Sequence, residues 1–266
     1  DADIVISNFK MSSAKKLGMD YSTLKALNPS LIYAQLTAFG EGSHRPAFDV
    51  VLQAEAGFLY MSGEPGRLPS KMPVALIDLL AAHQLKEGIL LALLQRTQTG
   101  EGALVSTSLL ESAIASLINQ AGNWLMVGQI PQRMGSAHPN IAPYGDIFKT
   151  ADDKAIVIAA GTEKQFEVLC HCLGQPDLAA DERFRTNVLR VKHREELNRQ
   201  LQPLFTLFNR EDLLNRFHQH LVPAGSIRNM KEVFEMETAQ SMIQSELLAN
   251  GQLARSVKTV AFKIES

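Results

Sequence analysis

Two short β-branched runs enclose one helical segment at the head of the chain, and this arrangement constrains the fold more than any other feature. Ile4-Val5-Ile6 and Leu31 to Leu36 read as strands, while Tyr21 to Leu27 between them has helical spacing closed by Asn28-Pro29. A strand, a helix and a second strand in that order make a β-α-β unit, which calls for a parallel sheet. The alternation continues. Helical spacing runs from Asp49 to about Ser62, and a turn-rich loop follows at Gly63-Glu64-Pro65-Gly66. Val74 to Ile77 is strand-like, and a long apolar helix then extends to Gln95. Gly100-Glu101-Gly102 marks a turn, Ala103 to Ser108 a strand, and Leu109 to about Val127 another helix. Strands and helices in this order predict a parallel sheet with helices packed on its faces.

The pattern changes after about residue 128. A loop carrying Pro131, Pro139 and Pro143 leads to an expected hairpin, Tyr144 to Phe148 and Ala155 to Ala160, turning at Ala151-Asp152-Asp153. Helical segments follow at 163–173, 193–207 and 210–220, and Val257 to Ile264 is strand-like. The expected fold class is therefore α/β: a large parallel-sheet domain over 1–135, a smaller α+β domain over 140–230, and a segment 231–266 returning towards the first.

Composition narrows the function classes. Of 266 residues, 45% are apolar and 20% charged, which excludes collagen-like and disordered chains. With 26 basic against 28 acidic residues there is no electrostatic footprint for nucleic acid or an anionic membrane. Apolar runs such as Ile89 to Leu94 fall far short of the ~20 residues of a spanning helix. The expectation is a soluble protein with neither nucleic acid nor membrane as partner. Cys170 and Cys172 are too close in sequence for ordinary disulfide geometry, and Cys170-His171-Cys172 lacks the second cluster of a zinc site. Buried packing in a reducing, cytoplasmic compartment is the reading, with no metal. No signal segment opens the chain, and its start at Asp1 without Met suggests a fragment.

Asp78 is the outstanding candidate for chemistry. It is the one ionisable side chain between Met72 and Ala82, in a stretch expected to be buried, and burying a carboxylate costs several kcal/mol unless donors surround it. Lying where the helical pattern begins, it reads either as a helix cap or as a functional acid held ionised by backbone N–H groups. Asp49 is likewise a cap or a second acid. Glu55 and Glu111 read as structural or partner-facing. His138, in Gly135-Ser136-Ala137-His138-Pro139-Asn140 at the expected domain junction, is a site residue or a solvated loop histidine. Lys10, Lys15 and Lys16 gather after the first strand, near an anionic ligand or simply in water. The chain has no P-loop, dinucleotide glycine fingerprint, nucleophile elbow or His-Glu-x-x-His motif.

The order of short segments, end to end, resembles the family III CoA-transferases, also called the CaiB/BaiF family. It runs through Ile4-Val5-Ile6-Ser7-Asn8-Phe9, Leu17-Gly18-Met19-Asp20-Tyr21, Leu27-Asn28-Pro29, Phe39-Gly40, Phe48-Asp49 and Ser62-Gly63-Glu64-Pro65. It continues through Thr99-Gly100-Glu101-Gly102, Ser108-Leu109-Leu110-Glu111, Gly135-Ser136-Ala137-His138-Pro139-Asn140-Ile141-Ala142-Pro143-Tyr144, Gln165-Phe166 and Thr186-Asn187. The resemblance implies a Rossmann-like large domain, incomplete here at both ends, and two chains interlocked as a homodimer. It implies that Asp78 is the nucleophile, that Asn8, Phe9, Lys10 and Thr37 bind the coenzyme, and that Gly135, His138 and Asn140 form a substrate loop. Acyl-CoA and a small carboxylic acid are then substrates, with no permanently bound cofactor.

In the family's chemistry the aspartate attacks an acyl-CoA thioester, and the anhydride so formed becomes an aspartyl-CoA thioester that is passed to the acceptor acid. Three departures bear on this. Lys10-Met11-Ser12 replaces the usual Arg-Pro-Gly, leaving Lys10 as a point charge for phosphate. Ala82 and Lys86 stand where glycines are usual. The loop at 136–140 lacks the glycine run of the formate enzymes and looks like that of the succinate and glutarate transferases, which implies a dicarboxylic acceptor. A related branch, the α-methylacyl-CoA racemases, has a His immediately before the position of Asp49. Phe48 stands there, so the base needed for proton exchange is missing. A racemase-like enzyme and a non-catalytic CoA-binding remnant are the alternative readings.

Overall fold

The computed structural model describes residues 2–265 and divides into two compact units between Ser136 and Ala137. In the first unit the elements run β1 (Ile4–Ser7), α1 (Met11–Lys16), α2 (Tyr21–Leu27), β2 (Ile32–Thr37), α3 (Asp49–Glu55), α4 (Phe58–Met61), α5 (Leu76–Thr99), β3 (Leu104–Ser108), α6 (Leu109–Ala115) and α7 (Ile118–Val127). The three strands form one parallel sheet in the order β1-β2-β3. The central strand is buried on both faces, with Ile32, Tyr33 and Ala34 fully enclosed. That is why its sequence is a continuous run rather than an alternation.

The direction of α5 decides what the sheet presents. Near the end of the helix, Arg96 donates to the carbonyls of Ser30 (3.1 Å) and Asp3 (3.3 Å), which precede β2 and β1. The C-terminal end of α5 thus lies at the amino edge of the sheet. At the other end, Ile77 packs with Leu52, Ala56 and Ala113, and with Phe39, Leu109 and Leu110, which follow β2 and β3. The first turn of α5 therefore lies at the carboxyl edge, where ligands of open parallel sheets bind.

Several elements differ from the sequence expectation. The helix expected over Asp49 to Ser62 is two helices, because Gly57 takes a left-handed φ of 84° between α3 and α4. The helix expected from Leu109 to Val127 also breaks, with Ile118 at φ 45° and the Ser116 hydroxyl donating back to the Ser112 carbonyl. Val74 to Ile77 is no strand. Leu76 N–H donates to the Val74 carbonyl at 2.9 Å, closing a tight turn into α5. Helix α1 was not foreseen, and it puts Lys15 and Lys16 in its last turn, where cations offset the carbonyl end of the helix dipole.

The second unit opens with β4 (Tyr144–Lys149) and β5 (Ala155–Ala159), paired antiparallel around a turn in which Asp153 has φ 53°. Helix α8 (Glu163–Cys172), a 3-10 turn (Pro176–Ala179), α9 (Asn187–Lys192), α10 (Arg194–Phe205) and α11 (Arg210–Gln219) follow. β6 (Ala224–Ser226) then adds a third strand beside β5. Ile156 and Ile158 alternate inwards from β5 against Phe166, Leu169, Leu201 and Phe217, and Phe148 stacks on Phe205 at 4.3 Å. Cys170 and Cys172 are free thiols in this core, and burial pushes Cys170 up to about 12. The chain continues through α12 (Met230–Phe234), α13 (Glu237–Ser241) and a hairpin of β7 (Ile243–Leu247) with β8 (Leu253–Val257). The strand expected over Val257 to Ile264 is not formed; strand structure ends at Val257.

The β4-β5 turn sets an acid limit. Asp152 accepts from the Thr150 hydroxyl (2.6 Å) and the Arg210 N–H (3.0 Å), and these bonds, the hydroxyl first, hold its carboxyl down at about 2 against an ordinary 3.8. A carboxyl depressed by folding stabilises the fold above its unfolded pKa, and that stability drains as pH falls from 3.8 towards about 2. Asp181, paired with Arg183, is also held at about 2 and contributes over the same window. Thr150→Val is therefore expected to flatten, without abolishing, the decline in urea midpoint across this window. Parallel declines for parent and variant would show that the Thr150 hydroxyl has no such part.

Candidate active site

Asp78 is the third residue of α5. The expectation of a buried, capping carboxylate is not met, since Asp78 is exposed and Ala75 occupies the N-cap position with no side-chain cap. The apolar neighbours had suggested burial, but Leu79 is itself 53% exposed. Among the described residues no group donates a hydrogen bond to the Asp78 carboxylate. Its pKa is raised, first by partial desolvation and then by the negative charge of Asp49. A carboxylate without donors and with a raised pKa is more basic, and thus a better nucleophile, than an ordinary surface aspartate.

Asp49 supplies the missing cap. It follows the N-cap residue of its own helix, Phe48, yet its Oδ2 accepts from the backbone N–H of Ile77 (2.6 Å) and of Asp78 (3.2 Å) in α5. The sequence leaves Asp49 as a cap or a second acid, and no local pattern marks a partner so far along the chain.

Asn8, Phe9 and Lys10 follow β1 directly, and all three are exposed. The Gln35 side-chain amide donates to the Phe9 carbonyl at 3.2 Å, and the Lys10 carbonyl accepts from Ser13 and Ala14, both at 2.9 Å. Thr37 ends β2, pairs with Ser108 of β3 and donates its hydroxyl to the Thr107 carbonyl at 3.4 Å. The fold thus brings Asn8, Phe9, Lys10, Thr37 and Asp78 to one edge of one sheet. Gly135 belongs to the same unit: its φ is 61°, its N–H donates to the Gly63 carbonyl (2.9 Å), and a Cβ there would meet the Glu64 carboxylate at 2.8 Å.

His138 and Asn140 lie in the second unit and are held together there. Asn140 N–H donates to His138 Nδ1 at 3.1 Å, which leaves the ring proton on Nε2. The ring meets Tyr144 edge-on at 5.3 Å. Two arginines that sequence reading missed fix this loop. Arg194 donates to the carbonyls of His138 and Ile141 and pairs with buried Asp146 at 3.0 Å. Arg190, fully buried, donates to the carbonyls of Ala142 (2.7 Å), Phe184 (3.0 Å) and Gly161 (2.8 Å) and lies over the Phe166 ring. Among the described residues no group of three or more His, Cys, Asp or Glu is placed to hold a metal ion, and no helix is long and apolar enough to cross a membrane.

Comparison with known proteins gives this arrangement its context. The sequence profile of CoA-transferase family III matches residues 1–264. The chain belongs to that family. It is 39% identical over 236 residues to succinate–glutarate CoA-transferase of Agrobacterium fabrum, covering 88% of this chain and 58% of that protein. It is 32% identical over 252 residues to succinyl-CoA:glutarate CoA-transferase of Mus musculus, covering 94% and 56%. Among solved structures, a CaiB/BaiF family protein from Brucella suis superposes with a TM-score of 0.83 at 37% identity, over 98% of this chain and 69% of that one. The α/β class expected from the sequence holds for this family III chain, which spans under three-fifths of the length of these two curated relatives.

Proposed function

We propose that the protein transfers coenzyme A from an acyl-CoA donor to a dicarboxylic acid, with Asp78 as the nucleophile. The observation that carries the reading is an exposed, undonated aspartate of raised pKa in the first turn of α5, at the carboxyl edge of the parallel sheet. An Asp78 oxygen attacks the thioester carbonyl, the C–S bond breaks, and the coenzyme leaves as thiolate from a mixed anhydride. The thiolate then attacks the Asp78 carbonyl, releasing the donor acid and leaving an aspartyl-CoA thioester. The acceptor carboxylate attacks that thioester, the C–S bond breaks, and the coenzyme leaves again as thiolate from a second anhydride. Thiolate attack on the acceptor's acyl carbon then frees both product and Asp78. Water must be kept from both anhydrides.

In this reading residues 1–135 are the coenzyme-binding domain and 140–230 the smaller domain. Asn8, Phe9, Lys10 and Thr37 bind the coenzyme, Lys10 meeting phosphate as a point charge. Gly135, His138 and Asn140 serve the acid, to which the Nε2–H of His138 is a donor. The acceptor class is supported by the names of the two glutarate enzymes above. Leu90, Leu91 and Leu94, 57–68% exposed on α5, support cover by a second, interlocked copy. The free buried thiols support a reducing, cytoplasmic setting.

The test is transfer itself. With succinyl-CoA as donor and a panel of diacids and monoacids as acceptors, and the mass of the assembly measured in the same buffer, acyl-CoA products are expected fastest with diacids. Donor hydrolysis without acceptor-dependent product would refute the reading.

A further inference from the structure

The transfer chemistry above gives Asp49 no part, yet its contacts assign it one. In α5 the N–H groups of the second and third residues, which an N-cap side chain ordinarily satisfies, go to Asp49 Oδ2 instead. Asp49 Oδ1 accepts from the side-chain amide of Gln53, which is 1% exposed, and Gln53 Oε1 accepts from Met72 N–H at 3.0 Å. One turn of α3 thereby grips both ends of the turn that leads into Asp78.

We propose that Asp49 is the positioning residue of the reaction: by taking the Ile77 and Asp78 N–H groups onto one carboxylate oxygen, it fixes the direction of the Asp78 side chain and keeps those donors from quenching it. The proposal rests on the reading of Asp78 as nucleophile. Two effects follow from one carboxylate. Its geometry holds the backbone of the reacting residue, and its charge keeps Asp78 basic. The elements packed most extensively against α5 are α3, α6, β2 and β3. Their charged groups are Asp49 and Glu55 on α3 and Glu111 on α6, while β2 and β3 carry none. Glu55 is paired with Arg45, and Glu111 accepts from the Ser108 hydroxyl at 2.6 Å. On α5 itself His83 and Lys86 bond to each other at 3.0 Å, and Glu87 and Arg96 lie further along. Of all these, Asp49 is the charge that acts on Asp78.

Two variants of the intact protein separate geometry from charge. Asp49→Asn keeps an acceptor oxygen for the two N–H groups and removes the charge. The acid limb of its kcat/KM profile is expected to move to lower pH, because Asp78 loses the neighbour that resists its ionisation. Asp49→Glu keeps the charge and displaces the oxygens by a methylene. It is expected to lose about 10- to 100-fold in kcat, with KM for acyl-CoA and the acid limb both unchanged. A purely structural cap would leave the profile of the Asn variant where it was. Should the Asn variant not fold, the split between kcat and KM in the Glu variant decides alone.

Superimposable profiles for parent and Asn variant, or parental kcat in the Glu variant, would overturn the proposal. Asp78→Ala, run alongside, keeps the two claims apart. Turnover in that variant defeats the nucleophile reading whatever Asp49 does. A dead Asp78→Ala beside parental Asp49 variants defeats the positioning claim alone.

Discussion

Asp78→Ala is expected to lower CoA transfer by about four orders of magnitude or more, because it removes the group on which every covalent intermediate forms. The same variant should lose a mass signature. The parent, incubated with an acyl-CoA and no acceptor, should gain the mass of coenzyme A less one water, as an aspartyl thioester requires. Asp78 is exposed and makes no side-chain hydrogen bond among the described residues, so the fold should tolerate its loss and the melting curve should stay close to that of the parent. A variant that turns over within tenfold of the parent, or that still acquires the adduct, would place the nucleophile elsewhere.

The second large effect is on stability. Arg190→Met keeps the length and apolar stem of the side chain but leaves the buried carbonyls of Ala142 and Phe184 and the part-buried carbonyl of Gly161 without their donor. Each unsatisfied buried acceptor costs about 1–3 kcal/mol, so a loss of about 3–5 kcal/mol is expected once the stack on Phe166 is also degraded. Urea unfolding followed by circular dichroism measures this. Fluorescence is the poorer probe, because Trp124, the single tryptophan, lies in the first unit. Arg190→Lys, which keeps a charge but has no planar fork, should fall between parent and Met. A Met variant within about 1 kcal/mol of the parent would mean that water or backbone shifts satisfy the three carbonyls.

The parallel sheet was legible because its strands are continuous β-branched or apolar runs separated by a helical segment, and the β4-β5 hairpin because Ala151-Asp152-Asp153 interrupts two such runs. The β7-β8 hairpin had a local signal that the sequence reading passed over: Asn250-Gly251 between two alternating stretches, with Gly251 at φ 79°. The depth of Asp78 was misjudged because apolar neighbours were equated with burial, whereas α5 carries leucines on faces the described chain leaves bare. The roles of Asp49 and the two arginines could not be read locally. Asp49 meets α5 from 28 and 29 residues away, and Arg190 reaches Ala142 across 48. A side chain whose partners are backbone atoms of a distant segment leaves no trace in spacing or composition.

The neighbour relation of β2 and β3 carries a kinetic consequence. They lie side by side, but residues 38–103 must be laid down between them, including every contact that orients Asp78. Parallel pairing across such an excursion requires a costly loop closure before it returns any contact energy. β3 is therefore expected to join the sheet after the amino-terminal β-α-β turn has paired, whereas the bonds from α3 to the first turn of α5 lie wholly within the intervening segment and do not wait for it.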